Sequence, residues 1–323
     1  MIDLLVVGDV GIDTYYLLDN EDASVRHIGR EKECELCFDM SDKIPVEQME
    51  ETVGGNAANV SIGSSRLGLK TALVSAVGRD EDGRLILCKL EKEDVELNYV
   101  KQSDKTNQTA ALIYKSKRTL LVHHEDRKYS FDVSVPARWL YLTSTNVGGE
   151  KMNESIVDYV NKHNTKLVFS PGTLQRRAGA KIYKKILDIC DLIIMNKEEA
   201  IDYVSGSSNE DNNVLLQKLG EYGPTRAVIT DETRGSYGID ENENLYISDI
   251  CKSRAIDNTG AGDGYAIALT VALIKGKTLP EAMVWGSANA ASVVEHIGPQ
   301  QGLLSLPRLM KSVEECKNIV KEL

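Results

Sequence analysis

The sequence predicts an α/β domain: a doubly wound, mostly parallel sheet flanked by helices, with a small β-sheet lid. Six short apolar runs, at 2–8, 71–78, 139–144, 166–170, 191–196 and 226–230, are near-continuous instead of alternating. Such runs are buried on both faces, which suits a parallel sheet covered by helices. Helix-patterned segments at 56–67, 83–93, 154–163, 180–190, 198–204 and 211–222 fall between them, the strand–helix alternation of doubly wound folds. The last third is more helical, with patterns at 262–275, 279–296 and 306–323. Two stretches break the rhythm, 14–48 and 105–131; the second reads as two alternating strands around a Lys-Ser-Lys turn. Together they are expected to form a lid inserted into one domain spanning 1–323. Nothing reads as a linker or an internal repeat.

Composition narrows the function. The 323 residues carry 38 basic and 49 acidic side chains, a net charge of −11. A field of that sign repels phosphate backbones and argues against nucleic acid as the main partner, although local donors can still hold a small phosphorylated molecule. No apolar run approaches the roughly 18 residues of a membrane span. The opening residues, MIDLLVVGDV, read as a first strand, not a signal peptide. Six cysteines, at 34, 37, 88, 190, 251 and 316, are scattered, which points to reduced thiols in a cytoplasmic protein. Cys34 and Cys37 form a lone C-x-x-C without further ligands at zinc spacing, and read as ordinary cysteines.

Three motifs carry chemistry. The run Asp257-Asn258-Thr259-Gly260-Ala261-Gly262-Asp263-Gly264 leads directly into an apolar helix pattern. Glycines at a loop-to-helix junction let backbone N–H groups approach an anion, and the helix dipole favours it. Asp263 can then serve as a base toward a hydroxyl, or simply as a first-turn helix residue. Gly54-Gly55-Asn56, followed by Asn59, opens another helix. Paired glycines permit close approach, and the two amides can bind hydroxyls in either direction; a tight turn is the plainer reading. Asn196 and Glu199 stand at the end of an apolar strand, where open α/β sheets bind ligands and where Mg²⁺ beside phosphates could be held. An acidic helix start explains them equally well.

In this order and with these gaps, the Gly-Gly-Asn loop, N-x-x-E and D-x-T-G-A-G-D resemble the PfkB, or ribokinase-like, family of sugar and nucleoside kinases. The resemblance begins at Gly8 and Asp13 and covers essentially the whole chain. It implies a ribokinase-like fold and an ATP-dependent kinase acting on a sugar hydroxyl, with Asp263 as catalytic base and Gly260, Ala261 and Gly262 as anion hole. It also implies that Asn196 and Glu199 organise Mg²⁺ and the phosphates, and that Asp13, Gly54, Gly55, Asn56 and Asn59 grip the acceptor. Thr230 and Gly235 fall in the nucleotide loop, and Asn289 is a weaker candidate for the adenine pocket. Asp257, Thr259 and Gly298 resemble the monovalent-cation site, for K⁺, that some members use. Lid-to-lid homodimers occur in the family, and an exposed lid edge favours them physically.

The chain departs from the family in two places. Thr230-Asp231-Glu232 replaces T-x-G, placing two carboxylates beside the expected phosphates, and Ser170-Pro171-Gly172 replaces Asp-Pro-Asn. The acceptor is thus expected to be a sugar, a sugar phosphate or a nucleoside. A non-catalytic sensing relative would be expected to have lost Asp263 or its glycines, and both are present. A dinucleotide enzyme would need G-x-G-x-x-G, whereas the first strand exits through Gly8-Asp9-Val10-Gly11-Ile12-Asp13. Arg118, in the second lid stretch, could meet a substrate phosphate or serve as a solvated turn residue. Of His123 and His124, strand alternation predicts one facing in and one out.

Overall fold

The computed structural model describes residues 1–18, 24–27, 34–41, 43–103, 105–114, 117–206, 210–316 and 318–323. β1 (Ile2–Val7) runs almost directly into β2 (Gly11–Leu18), followed by the pair β3 (Ser24–His27) and β4 (Cys34–Cys37) and by β5 (Val46–Gly54). Then come α1 (Asn56–Arg66), β6 (Thr71–Gly78), α2 (Glu81–Lys92), β7 (Glu96–Ser103), β8 (Asn107–Tyr114), β9 (Lys117–His123) and β10 (Ala137–Leu142). Alternation resumes with α3 (Asn153–His163), β11 (Lys166–Phe169), α4 (Thr173–Ala178), α5 (Lys184–Leu187), β12 (Leu192–Asn196), α6 (Lys197–Tyr203), α7 (Asn212–Glu221) and β13 (Ala227–Thr230). The chain closes with β14 (Ser236–Ile239), β15 (Leu245–Ser248), α8 (Ala261–Ile274), α9 (Leu279–Val293), α10 (Leu306–Cys316) and β16 (Val320–Glu322).

The main sheet has the order β16-β15-β14-β13-β12-β11-β10-β1-β6-β7. Pairing is parallel from β13 across to β7 and antiparallel at β13–β14, β14–β15 and β15–β16. Alternate residues of a strand face opposite layers. Along β1, Leu4 and Val6 join the apolar layer under α1, α8 and α9, while Leu5 and Val7 join the layer with α3, α5 and α7. Both faces are therefore covered, as the unbroken apolar runs require. A smaller sheet, β5-β2-β8-β9, stands apart, with β2 paired antiparallel to β5 and parallel to β8.

Some expectations are corrected. The helix pattern at 180–190 yields only the single turn of α5, because Ile182, Tyr183 and Lys184 donate N–H groups three residues back to Gly179, Ala180 and Lys181, a tighter winding. Likewise the 306–323 pattern ends at Cys316, and β16 pairs with β15 at the sheet edge through Ile247 and Lys321. Three residues of mixed polarity give no periodicity from which to read a strand. The expectation of six reduced thiols also fails: Cys251 and Cys316 form a disulfide with Cα atoms 5.5 Å apart. Their 65-residue separation hides the pairing, which arises where α10 packs on α9 and β16 lies beside β15.

Candidate active site

Four chain segments converge at the C-terminal ends of the central strands. The first is β2, which lies against β5 with Gly11 opposite Gly54 and Asp13 opposite Thr52. A Cβ on Gly54 would fall 2.1 Å from Asp13 Oδ2, so only glycine lets that carboxylate lie across the neighbouring strand. Gly55 caps α1 with φ +91°, a conformation that favours glycine. Burial raises the pKa of Asp13, against a hydrogen bond from Thr109 and the charge of Arg118.

The second and third segments meet through hydrogen bonds. Asn56 and Asn59 lie one turn apart on α1 and point the same way. Asn56 Nδ2 donates to Asp263 Oδ1 at 3.0 Å, and Asn59 Nδ2 to Oδ2 at 2.8 Å. Asn59 is itself held by Gln300, whose Nε2 donates to Asn59 Oδ1 at 3.0 Å and to Val53 O at 2.7 Å. Asp263 stands in the first turn of α8, after Gly260 at φ +79°, where a Cβ would press on Pro299. Burial pushes its carboxyl up to about 6, helped by the Glu199 charge and opposed by Asn59, Arg118 and Asn56. The N–H of Ala261 turns back to Asn258 O at 3.3 Å. Those of Gly262 and Asp263 have no backbone partner among the described residues, and a Cβ on Gly262 would meet nothing within 4 Å.

The fourth segment is the β12–α6 junction. Asn196 and Glu199 form a capping box: Glu199 N donates to Asn196 Oδ1 at 2.8 Å, and Asn196 N to Glu199 Oε2 at 3.0 Å. Glu199 Oε1 accepts from Arg176 Nη1 of α4 at 2.8 Å. Burial raises the pKa of Glu199 in spite of both contacts. Thr230 pairs beside Asn196 in the sheet. The Asp231 carboxylate, a source of repulsion in the sequence, accepts from Lys197 at 3.3 Å and from the buried Asn212 amide at 3.1 Å.

The fold thus brings together a buried carboxylate with a raised pKa, two helix-start N–H groups without a backbone partner among the described residues, and an acidic strand end. Residues 22–306 match the model of the pfkB family carbohydrate kinases. The chain belongs to the pfkB family. It is accordingly a kinase of carbohydrates, a phosphotransferase with an alcohol acceptor. It is 25% identical over 312 residues to a 5-dehydro-2-deoxygluconokinase of Geobacillus kaustophilus, covering 88% of this chain and 92% of that one. It is 24% identical over 302 residues to an ATP-dependent 6-phosphofructokinase of Thermoanaerobacterium thermosaccharolyticum, covering 88% and 91%. The fold matches Arabidopsis thaliana ribokinase, solved with ribose and ATP, with a TM-score of 0.79 at 19% identity over 97% of this chain and 99% of that one.

Within this carbohydrate kinase the remaining expected positions fall as follows. Asp257 accepts from Thr259 N–H at 2.9 Å, Thr259 Oγ1 at 2.7 Å and Gly298 N–H at 2.9 Å, so these three do converge. Asn289 is buried between helices. It is 1% exposed and spends its amide on Gly264 O at 2.7 Å and Leu304 N at 3.1 Å, tying α9 to α8 and to the following loop. Gly235, at φ +89°, is demanded by the turn itself, since a Cβ there would lie 1.9 Å from Ser248 O. His124 is the more buried of the histidine pair and lies 3.8 Å from Asp9, while His123 is exposed.

Residues that sequence reasoning missed include Arg176 and Gln300, and a cluster around Asp9. Tyr129 donates its hydroxyl to Asp9 at 2.7 Å, and Asn146 N–H donates to the same carboxylate at 2.9 Å. Burial raises the pKa of Asp9. These contacts span 120 and 137 residues, a distance at which no sequence spacing gives a signal.

Proposed function

We propose that Asp263 is the general base of an ATP-dependent kinase that phosphorylates a hydroxyl of a sugar or sugar acid. The observation that carries this is the pair of amide donors on a carboxylate whose pKa is pushed up to about 6. A base poised near neutrality can accept a proton from an alcohol as the phosphoryl group arrives. Asn56 and Asn59 fix its two oxygens, and Asp13, beside Gly54 and Gly55, offers a second acceptor for substrate hydroxyls. At the start of α8 the N–H groups of Gly262 and Asp263 aim at an anion and would stabilise the γ-phosphoryl oxygens. Gly260 and Ala261 shape that turn.

No cluster of three or more His, Cys, Asp or Glu able to hold a metal ion occurs among the described residues. Donors already occupy both Glu199 oxygens, so the Asn196–Glu199 strand end fits Mg²⁺ that arrives on the ATP phosphates and is met through water, not an ion held directly by the carboxylate. The bound metal would neutralise charge on the phosphates. Thr230 and Gly235 shape the strand end and turn beside it. Asp257, Thr259 and Gly298 close on one another, and donors already occupy both Asp257 oxygens. They fit a loop clasp better than a K⁺ seat.

The small sheet acts in this proposal as the lid of a single domain and excludes water once substrates are bound. Leu120, Leu121 and Val122 on its edge strand β9 are all at least 48% exposed, which supports homodimerisation through the lid. Use of ATP accords with a cytoplasmic setting. No helix among the described residues is long and apolar enough to cross a membrane. The test is Asp263→Asn: a loss of about 10²–10⁴-fold in kcat with an unchanged melting profile is expected. Near-wild-type turnover in that variant refutes the assignment.

A further inference from the structure

The site is rich in negative charge: Asp13 lies against Gly54, and the Glu199 charge acts on Asp263. Most arginines nearby are committed. Arg176 holds Glu199, Arg127 donates to Lys105 O and Asn107, and Arg66 holds Glu93. Arg118 differs. It is exposed, and among the described residues it makes no ion pair.

Sheet register shows where it points. Arg118 in β9 lies opposite Ile113 of β8, which neighbours Leu17 of β2. Cross-strand partners share a face, and so do residues two apart along a strand. Arg118 therefore stands on the same face as Leu120, Ala111, Tyr15 and Asp13, the face that carries the acceptor carboxylate. Its charge reaches that far, countering the upward push of burial at Asp13, Tyr15 and Asp263. Leu120, between Arg118 and the level of Asp13, offers an apolar surface for the arginine stem to lie along.

We propose that Arg118 reads an anionic group, a carboxylate or a phosphate, on the part of the acceptor remote from the hydroxyl that is phosphorylated. The proposal rests on the kinase reading of the pocket given above. A neutral sugar needs no cation from the lid, whereas an anionic one entering beside Asp13 and Asp263 needs a counter-charge. A planar guanidinium with unspent donors matches either anion two bonds at a time.

The test uses the full chain with saturating ATP and Mg²⁺, reading ADP release. Fructose and glucose form the neutral arm, 5-dehydro-2-deoxygluconate the carboxylate arm and fructose 6-phosphate the phosphate arm. One anionic arm is expected to exceed the neutral arm in kcat/KM by about 10–100-fold, the worth of charge-assisted hydrogen bonds. Which arm wins identifies the anion. Arg118→Leu should abolish that preference, chiefly through KM. Thermal stabilisation of both proteins by the same acceptors, with a non-hydrolysable ATP analogue, reads binding without turnover and should show the same loss. Equal handling of neutral and anionic acceptors by the wild type overturns the proposal while leaving the kinase reading intact. So does an Arg118→Leu loss that is the same for both arms. Neither turnover nor stabilisation with any acceptor overturns both.

Discussion

Replacing Asn59 with leucine tests how Asp263 is tuned. The substitution nearly conserves volume and removes one donor, the 2.8 Å bond to Asp263 Oδ2. Gln300 keeps its bond to Val53 O. A hydrogen bond to a charged group contributes about 1.5–3 kcal/mol, and 1.36 kcal/mol is one pKa unit, so the pKa should rise by about 1–2 units. From about 6 it would reach about 7–8. The sign follows from the role. A base must be unprotonated, so activity is present above its folded pKa and lost as pH falls through it. At pH 7 the unprotonated fraction would drop from about nine-tenths to between about a half and a tenth. The assay is kcat/KM for the acceptor at saturating ATP, from about pH 5 to 9, where the acid limb reports the free enzyme. An acid limb near the ordinary carboxylate value in wild type, or one that stays put in Asn59→Leu, refutes the reasoning.

Two further outcomes concern stability. Arg176→Met leaves Glu199 without its guanidinium, and breaking so enclosed a pair should cost about 2–3 kcal/mol by urea denaturation, with most of it recovered in Arg176→Met/Glu199→Gln. An unchanged urea midpoint in the single variant would show that the pair contributes nothing. Closing a 65-residue separation with the Cys251–Cys316 disulfide should contribute about 4 kcal/mol by chain entropy, so Cys316→Ser should melt below wild type, and reductant should bring the two together. A wild-type melting profile indifferent to reductant would refute it.

The sheet's central strands were legible because burial on both faces leaves an unbroken apolar run, as in LIIM and LLVV. Strands β7, β14 and β15 were not, since polar residues interrupt them and they hold their places through neighbours instead of their own pattern. In the pocket, glycine pairs and the acid at the start of α8 were visible because backbone geometry demands those residue types locally. Arg176, Gln300 and Tyr129 were invisible for the opposite reason. Each acts on a partner brought to it by the fold, and nothing about an arginine in an SPGTLQRR stretch distinguishes it from a surface one. Asn289 shows how an amide on a helix can join that helix to its neighbours.

The convergence of four segments on one pocket divides labour along the chain. In the proposed reading the groups that hold the alcohol come from β2, β5, α1 and Arg118 of β9, all within the first 118 residues, whereas those around the phosphates begin at Asn196. The two sets touch through the amides of Asn56 and Asn59 on Asp263. Such a scaffold can acquire a new fuel molecule by altering its N-terminal portion alone, keeping the phosphoryl-handling half untouched, provided those two asparagines survive the change.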